Sequence, residues 1–328
     1  MIPSAASKVT AKTCILKMAK RLKNSPHLKK VVEDSIEKLL KEGWAEVVPN
    51  PGLKSDLTWY LPAVLSERKG KHRFCLDGAA TSCGVSLNSM LLTGEGPMVT
   101  IFNALSNARR YDYFACGDIA AFFHQVLIPS EDRDALRFFR WIPGQEDKLE
   151  CIRMLRNIFG AACSYSISSF ANRRNAEDHG GDFSKEVVDA ILRAYVDDVP
   201  TSSPTQESSI DLVKGLIELC AKGGFTLTKF ISNCPAVLES IPPDLRKDGF
   251  KDSNGNLPET SVLGVAYDPN KDTFCVKLPA KSGGGAWNRK RVLSVVMSIF
   301  DPLGQVAPYT LIGKKINQKA LRSEDRMG

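Results

Sequence analysis

The sequence predicts an α+β fold built on a mostly antiparallel sheet with helices on one face. Three observations point there. Residues 111–128 read as a strand that is apolar on both faces, as in the middle of a sheet; two apolar runs flank Pro143-Gly144, as in a hairpin; stretches of helical period lie between, so the order is strand, helix, hairpin, helix, strand.

Taken in order, Ser25-Pro26 predicts a helix start, a cap residue followed by proline at the first helical position. Leu28, Val32, Ile36 and Leu40 then fall on one face, and Gly43 stops the helix. Residues 44–77, broken by Pro49, Pro51 and Pro62, read as extended and end in a short strand over 73–76. Met98, Ile101, Phe102 and Leu105 place a helix within 88–108.

In the long strand, Tyr113, Ala115, Gly117 and Ile119 alternate with Asp112, Phe114, Cys116 and Asp118. An aspartate in such a strand is costly unless it is hydrogen-bonded or holds a cation, and both readings stand for Asp118. A hairpin over 137–141 and 150–154 and a helix after Gly160 follow. Residues 208–222 form an amphipathic helix with Ile210, Val213, Ile217 and Cys220 inward, ended by Gly223-Gly224. Strands near 225–231 and 261–267 close the pattern, and 282–285 reads as a flexible joint.

With 328 residues and 43% hydrophobic content, the chain can bury a sizeable core and is expected to hold more than one subdomain. It has no apolar stretch near the roughly eighteen residues of a membrane span, and its lysine-rich start lacks a signal peptide's apolar core, so an intracellular setting and no membrane partner are expected. Nine cysteines without C-x-x-C spacing argue against a disulfide framework or zinc ribbon and read as reduced, mostly buried thiols. The net charge of +7 is unevenly spread: residues 1–41 carry +7, residues 271–328 carry +7, and the middle is −7. Basic ends suit phosphate backbones and an acidic centre suits metal; solvated surface lysines are the plainer reading of the ends.

The acidic centre has a focus. Ala194-Tyr195-Val196-Asp197-Asp198 sets two adjacent carboxylates among apolar residues; the run 190–192 leads in and Val199 follows, which predicts a hairpin tip rather than a polar linker. Facing Asp118 on a neighbouring strand, the pair makes an oxygen-rich pocket for hard divalent cations. Two such ions roughly 3.5–4 Å apart serve nucleotidyl transfer.

These motifs in their order resemble the reverse transcriptase region of BEL/Pao-type LTR retrotransposons. The resemblance runs from Pro62-Ala63-Val64 and residues 73–77 through Gly84-Val85-Ser86-Leu87-Asn88 and Gly117-Asp118-Ile119-Ala120-Ala121-Phe122-Phe123-His124-Gln125-Val126. It continues through residues 129–137, Phe159-Gly160-Ala161, Tyr195-Val196-Asp197-Asp198, 223–233 and Leu263-Gly264-Val265, to Leu293-Ser294-Val295-Val296 and Phe300-Asp301-Pro302-Leu303-Gly304. It implies a right-hand polymerase with a ferredoxin-like antiparallel palm, fingers and a partial thumb. Residues 1–100 would be fingers with a basic N-terminal helical region, 101–275 palm with 130–158 a fingers insertion, and 276–328 partial thumb or connection.

The resemblance also implies roles. Asp118 and Asp197 would bridge two Mg2+ ions, with Mn2+ as a substitute, while Asp198 supports them and the Ile119 carbonyl touches the nucleotide-side ion. Lys71 and Arg73, two apart on a strand and so pointing the same way, would hold the incoming triphosphate. Phe123 would exclude the sugar 2′-hydroxyl, although core packing suits any phenylalanine in Phe122-Phe123. Phe159 and Gly160 would line the nucleotide pocket, Lys229 would protonate leaving pyrophosphate, and Leu263-Gly264 would begin the turn that grips the primer end. Implied partners are an RNA or DNA template with its primer, dNTPs and other parts of a retroelement polyprotein. The implied location is cytoplasmic, in virus-like particles.

Three departures bear on activity more than on ancestry: Tyr165 stands where relatives have proline, Pro200 lies two residues past Asp198, and Gly78-Ala79-Ala80 replaces a cysteine-serine-alanine run. With no RNase H, integrase or protease pattern, the chain reads as a fragment of a polyprotein or a decaying genomic copy. The competing readings are an inactive nucleic-acid-binding remnant and another two-metal enzyme, a cyclase or nuclease, on a similar palm.

Overall fold

The computed structural model describes residues 4–49, 57–68, 70–95, 99–247, 256–278 and 288–324. The joint expected at 282–285 lies outside them, as do Pro51 and Met98. The chain divides into two compact units, residues 1–98 with 121–174 and residues 99–120 with 175–328.

In the first unit, α1 (Ser4–Leu22) turns Ser7, Ala11, Ile15, Met18 and Leu22 inward at spacings of three and four. The helix expected at Ser25-Pro26 is α2 (Pro26–Lys41), burying Val32 and Ile36; Ser25 contributes no side-chain cap, and the fixed φ of Pro26 does the starting. Gly43 follows at φ +66°. Then come β1 (Ala45–Val47), β2 (Ala63–Arg68), β3 (Lys71–Leu76) and the short α3 (Leu87–Met90), with β2 and β3 pairing antiparallel. After α4 (Ile101–Ala108) and β4 (Tyr113–Ile119) of the second unit, β5 (Arg137–Ile142) and β6 (Gln145–Met154) make the expected hairpin, with Gly144 at φ +80°. β1 pairs with the far edge of β6. The Tyr60 and Phe139 rings stack 5.2 Å apart in a core shared with Trp59, Leu61, Phe138, Ile152 and the inner faces of α1 and α2. The helix expected after Gly160 is α5 (Ser164–His179).

The second unit centres on a three-stranded antiparallel sheet in which β4 lies between β7 (Asp198–Ser203) and β8 (Leu227–Ser232). That is the central place its two apolar faces predict, with Phe114, Ala115, Cys116 and Ile119 all buried. The strand is shorter than expected. Ala121 takes a left-handed φ of +49°, which turns the chain out of the sheet into a 3₁₀ turn, Phe122–Gln125. The helix expected within 88–108 is α4, which starts at Ile101 where Thr100 Oγ1 accepts from Asn103 N. The apolar run before the acidic pair is the end of a helix, α6 (Lys185–Leu192), and not a strand arm; Ser184 caps it.

Along α7 (Gln206–Lys222) the buried face is Ser209, Leu212, Val213, Leu216, Leu219 and Cys220, which leaves Ile210 and Ile217 half-buried at its flank. The second expected strand at 261–267 is a hairpin of β9 (Thr260–Val262) and β10 (Val265–Asp268), continued by β11 (Thr273–Cys275); α8 (Pro235–Glu239) precedes it. Its core joins Leu105, Phe114, Cys116, Val262, Val265 and Tyr267. Two helices, α9 (Arg289–Met297) and α10 (Ala307–Glu324), come last. Pro200 sits on β7 opposite Cys116, on an edge strand where a missing donor is tolerated. All nine cysteines are free thiols, but only Cys116, Cys151, Cys220 and Cys234 are buried, fewer than expected. Among the described residues no helix is long and apolar enough to cross a membrane.

Candidate active site

Three neighbouring backbones build the carboxylate site in the second unit. Asp118, one residue before the end of β4, stands directly opposite Asp198, the first residue of β7. Between Tyr195 and Asp198, which exchange backbone hydrogen bonds of 2.9 and 3.0 Å, Val196 adopts φ +59° and Asp197 occupies the turn. The Ile119 amide donates to the Asp197 carbonyl at 2.7 Å, tying that turn to the end of β4. A helix end, and not the strand arm that the sequence predicts, leads the chain into this turn.

The third backbone is β8. Its pairing with β4 slips between Cys116, opposite Ile231, and Asp118, opposite Thr228. The slip leaves Lys229 and Phe230 together against Gly117, a β-bulge. Lys229 takes φ +53° and its ammonium meets Asp118 Oδ1 at 2.7 Å. Thr228 Oγ1 donates to the Asp118 carbonyl at 3.3 Å. Gly117 makes the arrangement sterically feasible, since a Cβ there would come within 2.8 Å of the Phe230 ring. The sequence reading assigned no role to Gly117, Phe230 or Thr228; a glycine inside a strand was the available signal of close approach.

Burial pushes the Asp198 carboxyl up to about 7, reinforced by the charges of Asp197 and Asp118 and opposed by Lys229 and Lys247. Asp197 is also raised, first by burial and then by Asp118. Behind the pair, burial and the two carboxylates Asp198 and Asp118 raise the Cys116 thiol well above its ordinary range. Surplus negative charge of this kind, carried by hard oxygen donors, suits a divalent cation. The side chains do not form a finished cage, however: among the described residues no three His, Cys, Asp or Glu side chains converge closely enough to hold a metal ion.

Of the implied nucleotide residues, Lys71, Arg73, Phe123, Phe159 and Gly160 belong to the first unit, and Lys229 to the second. Lys71 and Arg73 are exposed on β3 at i and i+2, hence on one face. β3 ends at Leu76, whose carbonyl lies where a Cβ on Gly160 would come within 2.6 Å; Gly160 itself has φ +102°. Asn88 Nδ2 donates to the Gly160 carbonyl at 3.0 Å. Gly78, one of the departures from the family pattern, has the same carbonyl 2.7 Å from its own Cβ position. Phe123 is half-buried and packs edge-on to Phe159 at 4.5 Å, and Phe159 remains 53% exposed. His124, which sequence reasoning passed over, braces that corner: its Nδ1 lies 2.8 Å from the Asn157 carbonyl, its ring contacts Trp44 and Phe159, and burial pulls its pKa down. Leu263 and Gly264, at φ +49° and +83°, form the tight turn between β9 and β10 in the second unit.

Strand order, the β4–β7 carboxylates and the helices together define an α+β polymerase fold. Among solved structures, the chain is similar to the foamy viral protease-reverse transcriptase dRH in complex with double-stranded DNA. The TM-score is 0.53 and the identity 15%, over 82% of this chain and 39% of that one. The native prototype foamy virus protease-reverse transcriptase matches with a TM-score of 0.47 and 18% identity, over 63% of this chain and 24% of that one. The fold is thus of the retroviral reverse-transcriptase type, and the chain spans 39% of the length of the first of these relatives. No protein-family model matches the chain, and no curated protein matches it.

Proposed function

We propose that the chain is an RNA-directed DNA polymerase of a BEL/Pao-type LTR retrotransposon, extending a primer 3′-hydroxyl with dNTPs. The observation that carries this reading is Asp118 opposite Asp198 across β4 and β7, with Asp197 on the turn tied to Ile119. The likeness in fold to a reverse transcriptase solved with double-stranded DNA supports it. The BEL/Pao assignment rests on the ordered motifs, from Gly84-Val85-Ser86-Leu87-Asn88 to Phe300-Asp301-Pro302-Leu303-Gly304.

In this reading Asp118, Asp197, Asp198 and the Ile119 carbonyl would hold a magnesium pair, which supplies charge neutralisation at the attacking hydroxyl and the leaving pyrophosphate. Lys71 and Arg73 bind the triphosphate through their shared face of β3. Phe123, braced by Phe159, closes the space beside the sugar, and Gly160 lets backbone approach the base pair. Lys229 donates a proton to pyrophosphate, and the Leu263-Gly264 turn grips the primer end. The template, the primer and the remaining parts of a polyprotein are the partners, in cytoplasmic particles.

One observation favours a second reading, an inactive nucleic-acid-binding remnant: the carboxylates do not form a ready-made cage. A primed RNA template with dNTPs and magnesium, given to the parent and to Asp197→Asn, separates the two. Extension by the parent alone supports the polymerase. Template binding with no extension by either protein supports the remnant, and release of cyclic nucleotide or cut strand would point to a different two-metal enzyme.

A further inference from the structure

At the end of β7 remote from the carboxylates, the second unit opens into a cleft of about 580 Å3 between α6, α7 and the residues around Ser203. Ser203 closes the strand that Asp198 begins, roughly 17 Å along it, so the cleft is separate from the candidate active site. Gly215 shapes it: a Cβ there would come within 2.7 Å of Val187 Cγ2, and the bare glycine lets α7 lie close against α6. Four carboxylates, Asp182, Glu186, Asp211 and Glu218, line the cleft against one cation, Lys214, a net charge of −3 in a chain that carries +7. None of the four is in an ion pair among the described residues.

Ser203 lines the cleft from the strand. Side chains alternate along β7, and Ser202 donates to the Asn107 carbonyl at 2.8 Å on the α4 side, so Ser203 takes the opposite face, toward the cleft. Its residue is 4% exposed, and its hydroxyl has no hydrogen-bond partner among the described residues. The neighbouring hydroxyls are engaged, since Ser184 Oγ accepts from Val187 N and Ser208 Oγ from Thr205 N. A buried hydroxyl left unpaired in an acidic cleft is a place for a cationic donor to arrive.

The chemistry narrows what that donor belongs to. A phosphate backbone is repelled by the negative lining. A single metal ion does not fit, because among the described residues no three His, Cys, Asp or Glu side chains converge closely enough to hold one. Asp211 and Glu218 lie two turns apart on α7, roughly 10 Å along its axis, so a ligand that meets both has some length. An extended peptide with basic residues three apart spans the same distance. Its methylene stems can lie on Phe183 and Leu212, and a guanidinium has donors for a carboxylate and for Ser203 together. The Tyr111 wall already carries such a group, with Arg110 5.3 Å from its ring.

We propose that this cleft docks an arginine-rich segment of a partner protein, one guanidinium reaching Ser203 while others pair with Asp211 and Glu218. The docking is independent of the polymerase reading and does not occupy the Asp118 site.

The test is the fluorescence anisotropy of a short fluorescein-labelled peptide with arginine at every third position and glycine and serine between, at about 50 mM salt, where exposed charges are weakly screened. The parent should bind it. Asp211→Lys with Glu218→Lys should weaken binding at least about tenfold, and Ser203→Ala about three- to fivefold. Asp147→Lys with Asp244→Lys makes the same change of net charge at exposed positions outside the cleft and should cost less than about threefold. The same peptide with glutamate for arginine should bind the Asp211→Lys, Glu218→Lys variant more tightly than the parent.

A parent that leaves the arginine peptide free at about 1 mM overturns the docking. Equal losses in the two double variants overturn it too, since they report net charge alone. Unchanged affinity in Ser203→Ala does the same, because the buried hydroxyl is what distinguishes this cleft from a solvated acidic surface. Spermidine that binds as tightly as the peptide would assign the cleft to a small polyamine instead.

Discussion

The Phe230 ring lies against the bare Cα of Gly117, close enough that a β-carbon at 117 would sit 2.8 Å from its edge. This contact lets the β8 bulge form and so places Lys229 beside Asp118. Gly117→Ala is expected to destabilise the protein by about 1–3 kcal/mol, the range for overpacking a buried contact. Urea unfolding measures that loss. Phe230→Leu in the same background should recover part of it, because a smaller side chain relieves the clash.

At Gly160 two constraints coincide, a φ of +102° that side-chain-bearing residues rarely adopt and the Leu76 carbonyl 2.6 Å from the Cβ position. Gly160→Ala should therefore cost about 2–3 kcal/mol. Denaturant midpoints check this. Gly144→Ala, in a hairpin turn with open space around it, should cost less because only the backbone strain applies.

Phe123 is held edge-on by Phe159, so its orientation depends on a partner that is itself half in solvent. If Phe123 excludes the 2′-hydroxyl, Phe123→Ala should narrow the preference for dNTPs over rNTPs by at least about tenfold. Phe159→Ala should narrow it less, by freeing the ring without removing it. The ratio of kcat/KM for paired deoxy- and ribonucleotides is the measurement.

Asp134 lies between Arg137 at 2.9 Å and Arg153 at 2.7 Å, with its side chain 14% exposed. Burial works to raise its pKa, but hydrogen bonds from Arg153 and Arg137 outweigh burial and hold the carboxyl below its ordinary value. A depressed folded pKa contributes stability that is fully present above the unfolded value near 4 and is lost as pH falls through the folded one. Asp134→Asn should cost about 2–3 kcal/mol at pH 7, less than a fully buried pair because Arg153 is partly solvated. The gap between parent and variant should shrink as urea unfolding is repeated from pH 5 down to pH 2.

Much of the scaffold was legible because it depends on local patterning. The two apolar faces of residues 113–119 require a central strand, Pro26 and Gly43 bound α2, and Gly144 turns β5 into β6. The run 190–192 was ambiguous, since three apolar residues fit a strand or a helix end, and the Ser184 cap decided for the helix. Val213 and Cys220 lie on the buried face of α7 as the pattern predicts, while Ile210 and Ile217 fall at its flank, because α6 and the sheet, not the helix alone, choose which stripe is covered.

The carboxylate site divides along the same line. By itself the amino-acid order determined that Asp118 belongs to a buried strand and that Asp197 and Asp198 follow an apolar run into a turn, because strand period and turn chemistry act within a few residues. Only the tertiary structure decided that Asp118 faces Asp198, that Gly117 accepts the Phe230 ring, and that Lys229 lies on Asp118. Those relations depend on pairing register between distant strands, and for Gly117 and Lys229 on one slipped residue between β4 and β8, and no local propensity encodes register at that range.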